Sequence, residues 1–168
     1  GEDAPKMTGA RRPELPGGYD FDYINAEVLM DRAEARDGRI ALPDGPSYSL
    51  LVLPPLDTMR PEILRRIRDL VSEGARVLGP PPRQSPSLRG YPECDREVAA
   101  LAAELWGELA PHEGPGLASR AFGKGRVFRC EDLAGALRES GVVPAVVAPA
   151  HILWTHRKDG EAEIYFLS

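Results

Sequence analysis

Apolar positions along the chain fall into three kinds of run. The first is unbroken: Leu50-Leu51-Val52-Leu53 lacks polar alternation, the form of a strand buried on both faces of a parallel sheet, and Pro54 and Pro55 stop it. The second recurs at helical spacing. Ile63, Leu64, Ile67, Leu70 and Val71 make one apolar face, with Arg65, Arg66, Arg68 and Asp69 on the wet one. Pro61 suits the first turn of that helix and Gly74 the position just past its end. Ala75 to Leu78 then reads as a second strand. The stretch from Tyr48 to Pro80 is therefore a β-α-β unit, whose crossover is right-handed in nearly all known cases, and it commits the chain to an α/β layer architecture.

The third kind of run has period two. Ile152, Trp154 and His156 alternate with Leu153 and Thr155, and Ile164 and Phe166 with Tyr165 and Leu167, so two half-buried antiparallel strands are predicted. Lys158-Asp159-Gly160 supplies the turn of this hairpin. Between these landmarks, Ala26 to Ala33 reads as a short helix that Asp22 would cap. Asp37-Gly38 before Arg39-Ile40-Ala41-Leu42 reads as a tight hairpin, an ornament on the sheet edge, with a second turn at Pro43 to Pro46. Val98, Leu101, Ala102, Leu105, Trp106 and Leu109 mark a helix that starts near the acids Glu93 and Asp95 and stops at Pro111 to Gly116. Gly123-Lys124-Gly125 gives a turn into a third short strand. Glu131 to Ser140 gives a third core helix with Leu133, Ala134 and Leu137 inward and Gly141 as its stop. Residues 1–18 read as a loop whose preceding strand is expected outside the chain.

Composition narrows the function more than the fold. At 168 residues one core is expected, and 17 Gly with 17 Pro imply many loops. The net charge is -5, and the basic cluster Arg65-Arg66 with Arg68 sits on a wet helix face, which argues against nucleic acid and against anionic membranes. No run approaches the ~20 apolar residues of a membrane span, so a soluble segment is expected, of a parent in the cytoplasm or secreted. Cys94 and Cys130 have no metal-site spacing, although a single bridge between them stays open. His112, His151 and His156 also lack such spacing. No metal or cofactor is predicted.

The phrases Gly1-Glu2-Asp3-Ala4-Pro5, Tyr19 to Asn25, Asp37 to Ile40, Tyr48 to Pro54, Gly90-Tyr91-Pro92, Gly123 to Val127 and Ile152 to Arg157, in this order, resemble the α-L-rhamnosidase-type glycoside hydrolases, family 106 and its relatives. The resemblance implies a catalytic (β/α)8 barrel followed by a flavodoxin-like or class I glutamine-amidotransferase-like domain, and then β-sandwiches. Residues 1–150 would be that middle domain, a three-layer α/β/α open sheet, mostly parallel. Residues 151–168 would be a hairpin leading into a sandwich. The implied partners are the adjoining barrel and sandwich of the same parent chain, with carbohydrate as a further ligand. The acids of catalysis belong to the barrel, so no catalytic residue is assigned here.

A glycosidase needs two carboxylates about 5 to 9 Å apart across a sugar cleft. Asp20 and Asp22 are the tempting pair, although capping is the plainer role for both. Asp57 follows the central strand and Arg83 lies in the proline-rich loop beyond the next one, where α/β sheets place functional groups. Asn25, Trp154 and His156 complete the substrate-proximal candidates, Trp154 as a sugar-stacking ring and His156 as its neighbour. An amidotransferase-like enzyme would instead need a nucleophilic cysteine on a strand-to-helix elbow. The carboxylates beside Cys94 disfavour the thiolate such a nucleophile needs, and Cys130 lacks the glycines of an elbow. A small-molecule-binding domain and an oligomerisation module are the remaining alternatives.

Overall fold

The computed structural model describes residues 15–107, 118–129, 132–147, 152, 154–159 and 162–168. Leu109, the stop at Pro111 to Gly116, Cys130, Glu131, His112, His151, Leu153 and Gly160 lie outside the described residues, as do the first fourteen. The β-α-β unit is present as β4 (Leu51–Val52), α2 (Pro61–Glu73) and β5 (Arg76–Leu78), after three earlier strands described below. Leu51 pairs with Val77 and Val52 with Leu78 in parallel. In α2, Leu64, Ile67, Leu70 and Val71 are wholly buried, and Gly74 ends the helix at φ 134°.

Parallel to β5 runs β7 (Gly125–Arg129), with Val77 opposite Val127 and Leu78 opposite Phe128. These four residues divide by parity. Val77 and Val127 join the larger cluster, with Leu64, Ile67 and Leu70 of α2 and Val98, Leu105 and Trp106 of α3 (Glu93–Trp106). Leu78 and Phe128 join Leu133, Ala136 and Leu137 of α4 (Leu133–Glu139). Burying ten or so large apolar side chains at ~1.5–3 kcal/mol each supplies the driving force for the fold. Ala136, rather than Ala134, is the fully buried alanine of α4, since Ala134 keeps partial exposure one turn face away.

The fourth strand of this sheet, β6 (Ala118–Phe122), is antiparallel to β7 and was not predicted. Ala-Ser-Arg-Ala-Phe carries one large apolar residue, the composition of an edge strand rather than a core one. Side chains hold it instead: the Arg120 guanidinium donates to the Leu105 carbonyl at 3.0 Å and also to that of Glu104, and Ser119 Oγ donates to Glu139 at 2.7 Å. The order is β4-β5-β7-β6, so the sheet is partly parallel.

The predicted hairpin exists as β1 (Glu34–Arg36) and β2 (Arg39–Ala41), turning on Asp37 (φ 50°) and Gly38 (φ 75°). It does not ornament the edge of the parallel sheet. With β3 (Ser47–Tyr48) it forms a separate three-stranded antiparallel sheet, and Ile40, 2% exposed, enters the larger core. The basic face of α2 is likewise not all wet. Arg66 is half-buried and donates to the carbonyls of Leu29 (3.4 Å) and Ala33, at the end of α1 (Ala26–Asp31). The cap of α1 is Asn25, whose Oδ1 accepts from Val28 N at 2.8 Å, and not Asp22. Asp22 accepts instead from the Tyr48 hydroxyl at 2.8 Å, which ties the approach to α1 onto β3.

The C-terminal hairpin is β8 (Trp154–Asp159) with β9 (Ala162–Leu167). Lys158 and Asp159 belong to the strand and not to the turn, because Asp159 pairs with Ala162. The expected half-burial fails on β9, which is exposed along its whole length. Thus the molecule is a mixed α/β structure of three small sheets, of two, three and four strands among the described residues.

Two outcomes follow. A Cβ at Gly125 would stand 2.2 Å from Ala75 O and 2.3 Å from Val71 O, so Gly125→Ala should lower the unfolding free energy by about 2 kcal/mol or more, while Gly17→Ala, with nothing within 4 Å, should leave it unchanged in urea titration. Burial, followed by the hydrogen bond to Asp22 and its charge, holds the Tyr48 phenol above its ordinary value of 10.0. The neutral phenol is the favoured folded form, so its contribution is complete below pH 10 and is lost as pH rises through the raised value. Tyr48→Phe should remove that part of the alkaline stability loss, read by denaturation at stepped pH.

Candidate functional site

The loops that leave the C-terminal ends of β4 and β5 lie side by side. Arg83 N donates to Asp57 O at 2.7 Å and Met59 N to Gln84 O at 3.1 Å, with Thr58 and Gln84 forming a parallel bridge. Asp57 and Arg83, distant in sequence, are thereby neighbours through their backbones, and both are exposed. The root of the second loop is fixed by Trp106, whose buried Nε1–H donates to Gly79 O at 3.0 Å. A Cβ on Gly79 would come within 2.6 Å of the Leu53 side chain, so only glycine lets β5 end this close to β4.

Beyond Gln84 the same loop shapes a shallow cleft of about 230 Å³ lined by Gln84, Ser85, Ser87, Leu88, Tyr91 and Asp95. Its turns are local: Ser85 Oγ accepts from Ser87 N at 3.3 Å and Ser87 Oγ from Arg89 N at 3.1 Å. Asp95, in the first turn of α3, accepts from Ser85 N at 2.9 Å and from Cys94 Sγ at 3.6 Å. Leu88 and Tyr91 stand 83% and 62% exposed at the rim. Hydroxyls, an amide and an open aromatic ring can hold a polyhydroxylated ligand. One carboxylate already bound to a backbone N–H cannot provide the paired acid and base of glycoside hydrolysis.

The other candidates are not gathered there. Asp20 accepts from the next residue's N–H, Phe21 N, at 2.8 Å. Asp22 is bonded to Tyr48, and Asn25 to the start of α1. Trp154 and His156 lie on one face of the hairpin, where His156 pairs with Glu163 and stacks on Tyr165 at 4.7 Å between ring centres. This is a histidine satisfied by its own hairpin. Among the described residues no group of three or more His, Cys, Asp or Glu could hold a metal, and no helix is long and apolar enough to cross a membrane. The serine-rich cleft itself escaped the sequence reading, although the proline run before it marked the place.

The chain matches the α-L-rhamnosidase profile of glycoside hydrolase family 106 over residues 1–168. A Formosa agariphila protein named "Putative beta-glucuronidase" is 38% identical over 169 residues, covering all of this chain and 13% of that protein. The structure of a rhamnosidase from Novosphingobium sp. PP1Y superposes with a TM-score of 0.76 at 33% identity, over 91% of this chain and 14% of that one. The chain thus spans about one seventh of the length of these relatives. A match along its full length, carried by a shared fold as well as by sequence, makes this chain a member of glycoside hydrolase family 106, the α-L-rhamnosidase family.

Proposed function

We propose that these residues form a non-catalytic accessory domain of a multidomain, α-L-rhamnosidase-like glycoside hydrolase. The domain buttresses the catalytic barrel of its parent chain and lends the loops after β4 and β5 to the carbohydrate cleft. One observation carries this reading: in a family of glycosidases, no two acids of the candidate sites stand free as a pair among the described residues, because their carboxylates are engaged in local structure. Asp22 serves Tyr48, Asp95 serves Ser85, and Asp132 caps α4 through Gly135 N. Of the acids considered as substrate-proximal, Asp57 is the exposed one without a hydrogen bond to its carboxylate among the described residues, and a single acid does not make a pair.

The same reading extends to architecture and partners. Helices packed on both faces of β4-β5-β7 favour a flavodoxin-like or amidotransferase-like layering for residues 1–150. The hairpin after it would lead into a β-sandwich, with its exposed Ile164, Phe166 and Leu167 covered by that neighbour. An isolated two-stranded ribbon is marginally stable in water, which favours such cover. An amidotransferase activity is disfavoured because Cys94 is buried within α3, not raised on an elbow.

Assay of these residues alone and of the full-length chain on an aryl α-L-rhamnoside tests the proposal. Turnover is expected from the full chain only, and turnover by the segment alone overturns the accessory role. In the full chain, Asp57→Asn and Asp22→Asn should each leave kcat within about threefold, whereas loss of an essential acid or base costs a hundredfold or more. Cys94 should react with a disulfide reagent more slowly than a free model thiol at neutral pH until the protein is unfolded.

A further inference from the structure

A second cleft lies at the opposite end of the parallel strands, where β4 and β5 begin. It measures about 320 Å³ and is lined by Arg39 and Asp37 of the hairpin, Ser49, Arg76 at the start of β5, and Ser140 to Val143 after α4. Its three stretches, 37–49, Arg76 and 140–143, lie too far apart in sequence to have announced it together.

Two arginines line it. Eight arginines (32, 36, 60, 65, 68, 96, 126 and 138) have carboxylate partners, including Arg126, which sits opposite Arg76 in the sheet and pairs with Glu139 at 3.0 Å. Arg39 and Arg76 have none among the described residues, as is true of Arg66, Arg83, Arg89, Arg120 and Arg157 elsewhere, but these two share one cleft. Arg39 is held in place by neutral groups: its Nε donates to Ser47 Oγ at 3.0 Å, one Nη to Ser47 O at 2.8 Å and the other to Ser49 Oγ. Arg76 is half-buried beside Gly38, where an added Cβ would stand 3.3 Å from its Nη2, and its guanidinium bonds to no described residue. In the same cleft the Ser140 hydroxyl is buried and makes no hydrogen bond to a described residue. Asp37 is the one acid in the lining; it is exposed and paired with neither arginine. A protein of net charge -5 has thus left two guanidiniums without carboxylates beside one space, that of Arg39 held by neutral groups.

We propose that this cleft binds the carboxylate of an acidic sugar residue. Arg76 supplies the two-pronged donor that a carboxylate accepts best, and Arg39 supplies the second charge. The Ser49 hydroxyl reaches the carboxylate or an adjacent ring hydroxyl, and Val142 and Val143 offer an apolar wall to the ring. The volume falls at the lower end of the ~300–1,000 Å³ of small-molecule sites, more than one protein carboxylate would fill. The choice of a sugar as the carrier rests on the glycan-hydrolase reading of the parent chain; the need for an anion does not.

Titration calorimetry on the full-length chain tests it, with sodium D-glucuronate as probe, D-glucose as the neutral control, and Arg76→Gln and Ser49→Ala as variants. Glucuronate should bind with glucose silent, more weakly as NaCl is raised. Arg76→Gln should weaken it at least tenfold, Ser49→Ala several-fold, and Arg76→Lys should restore part of the affinity. Equal binding of glucose, or glucuronate binding unaffected by Arg76→Gln, overturns the proposal. So does absence of glucuronate binding together with a lowered melting temperature in Arg76→Gln, which assigns Arg76 to a carboxylate of the polypeptide. Aryl rhamnoside turnover by the unmodified chain is scored separately: its absence would refute the parent reading and leave the glucuronate result standing.

Discussion

Two adjacent residues on each of two parallel strands determine how everything else is placed. Val77 and Val127 point into one hydrophobic cluster and Leu78 and Phe128 into the other, so β5 and β7 must be covered on both faces at once. Covering one face takes α2 and α3; covering the other takes α4. Helices flank the strands on both faces, and the loops that join these elements are pushed to the two ends of the sheet. Both clefts lie at those ends, one where the strands finish and one where they start. Open clefts occur at these ends because the middle of the sheet is packed on both faces.

Close approach is the price of so thin a sheet. Gly79 lets β5 end against Leu53, and Gly123 and Gly125 let the β6–β7 turn press on the carbonyls of Val71, Ser72 and Ala75. The sequence pattern made Gly123-Lys124-Gly125 look like an ordinary turn. Its glycines are required less by the turn itself than by the end of α2 lying directly against it, a contact that only the assembled fold reveals.

The β-α-β unit and α3 could be read from residues because their apolar faces are continuous and long enough to have a period. β6 could not, since Ala118 to Phe122 gains its place from Arg120 and Ser119 reaching backbone and side chains elsewhere. The separate sheet β1-β2-β3 was half legible: Asp37-Gly38 announced the turn, but nothing local said that Ile40 would be drawn into the main core. Site residues followed the same rule. Asp22, expected to cap α1, accepts instead from Tyr48, 26 residues away. The arginine cleft draws on positions 39, 76 and 140, and no window along the chain contains them together.

Trp106 acquires a further meaning from its position. Its indole is 1% exposed, wholly inside the larger cluster, and its one polar atom is bonded to the carbonyl from which the serine-rich loop departs. The ring therefore couples the register of α3 to the take-off angle of that loop. Its emission is a built-in gauge of both, in a molecule whose second indole, Trp154, lies on the terminal hairpin.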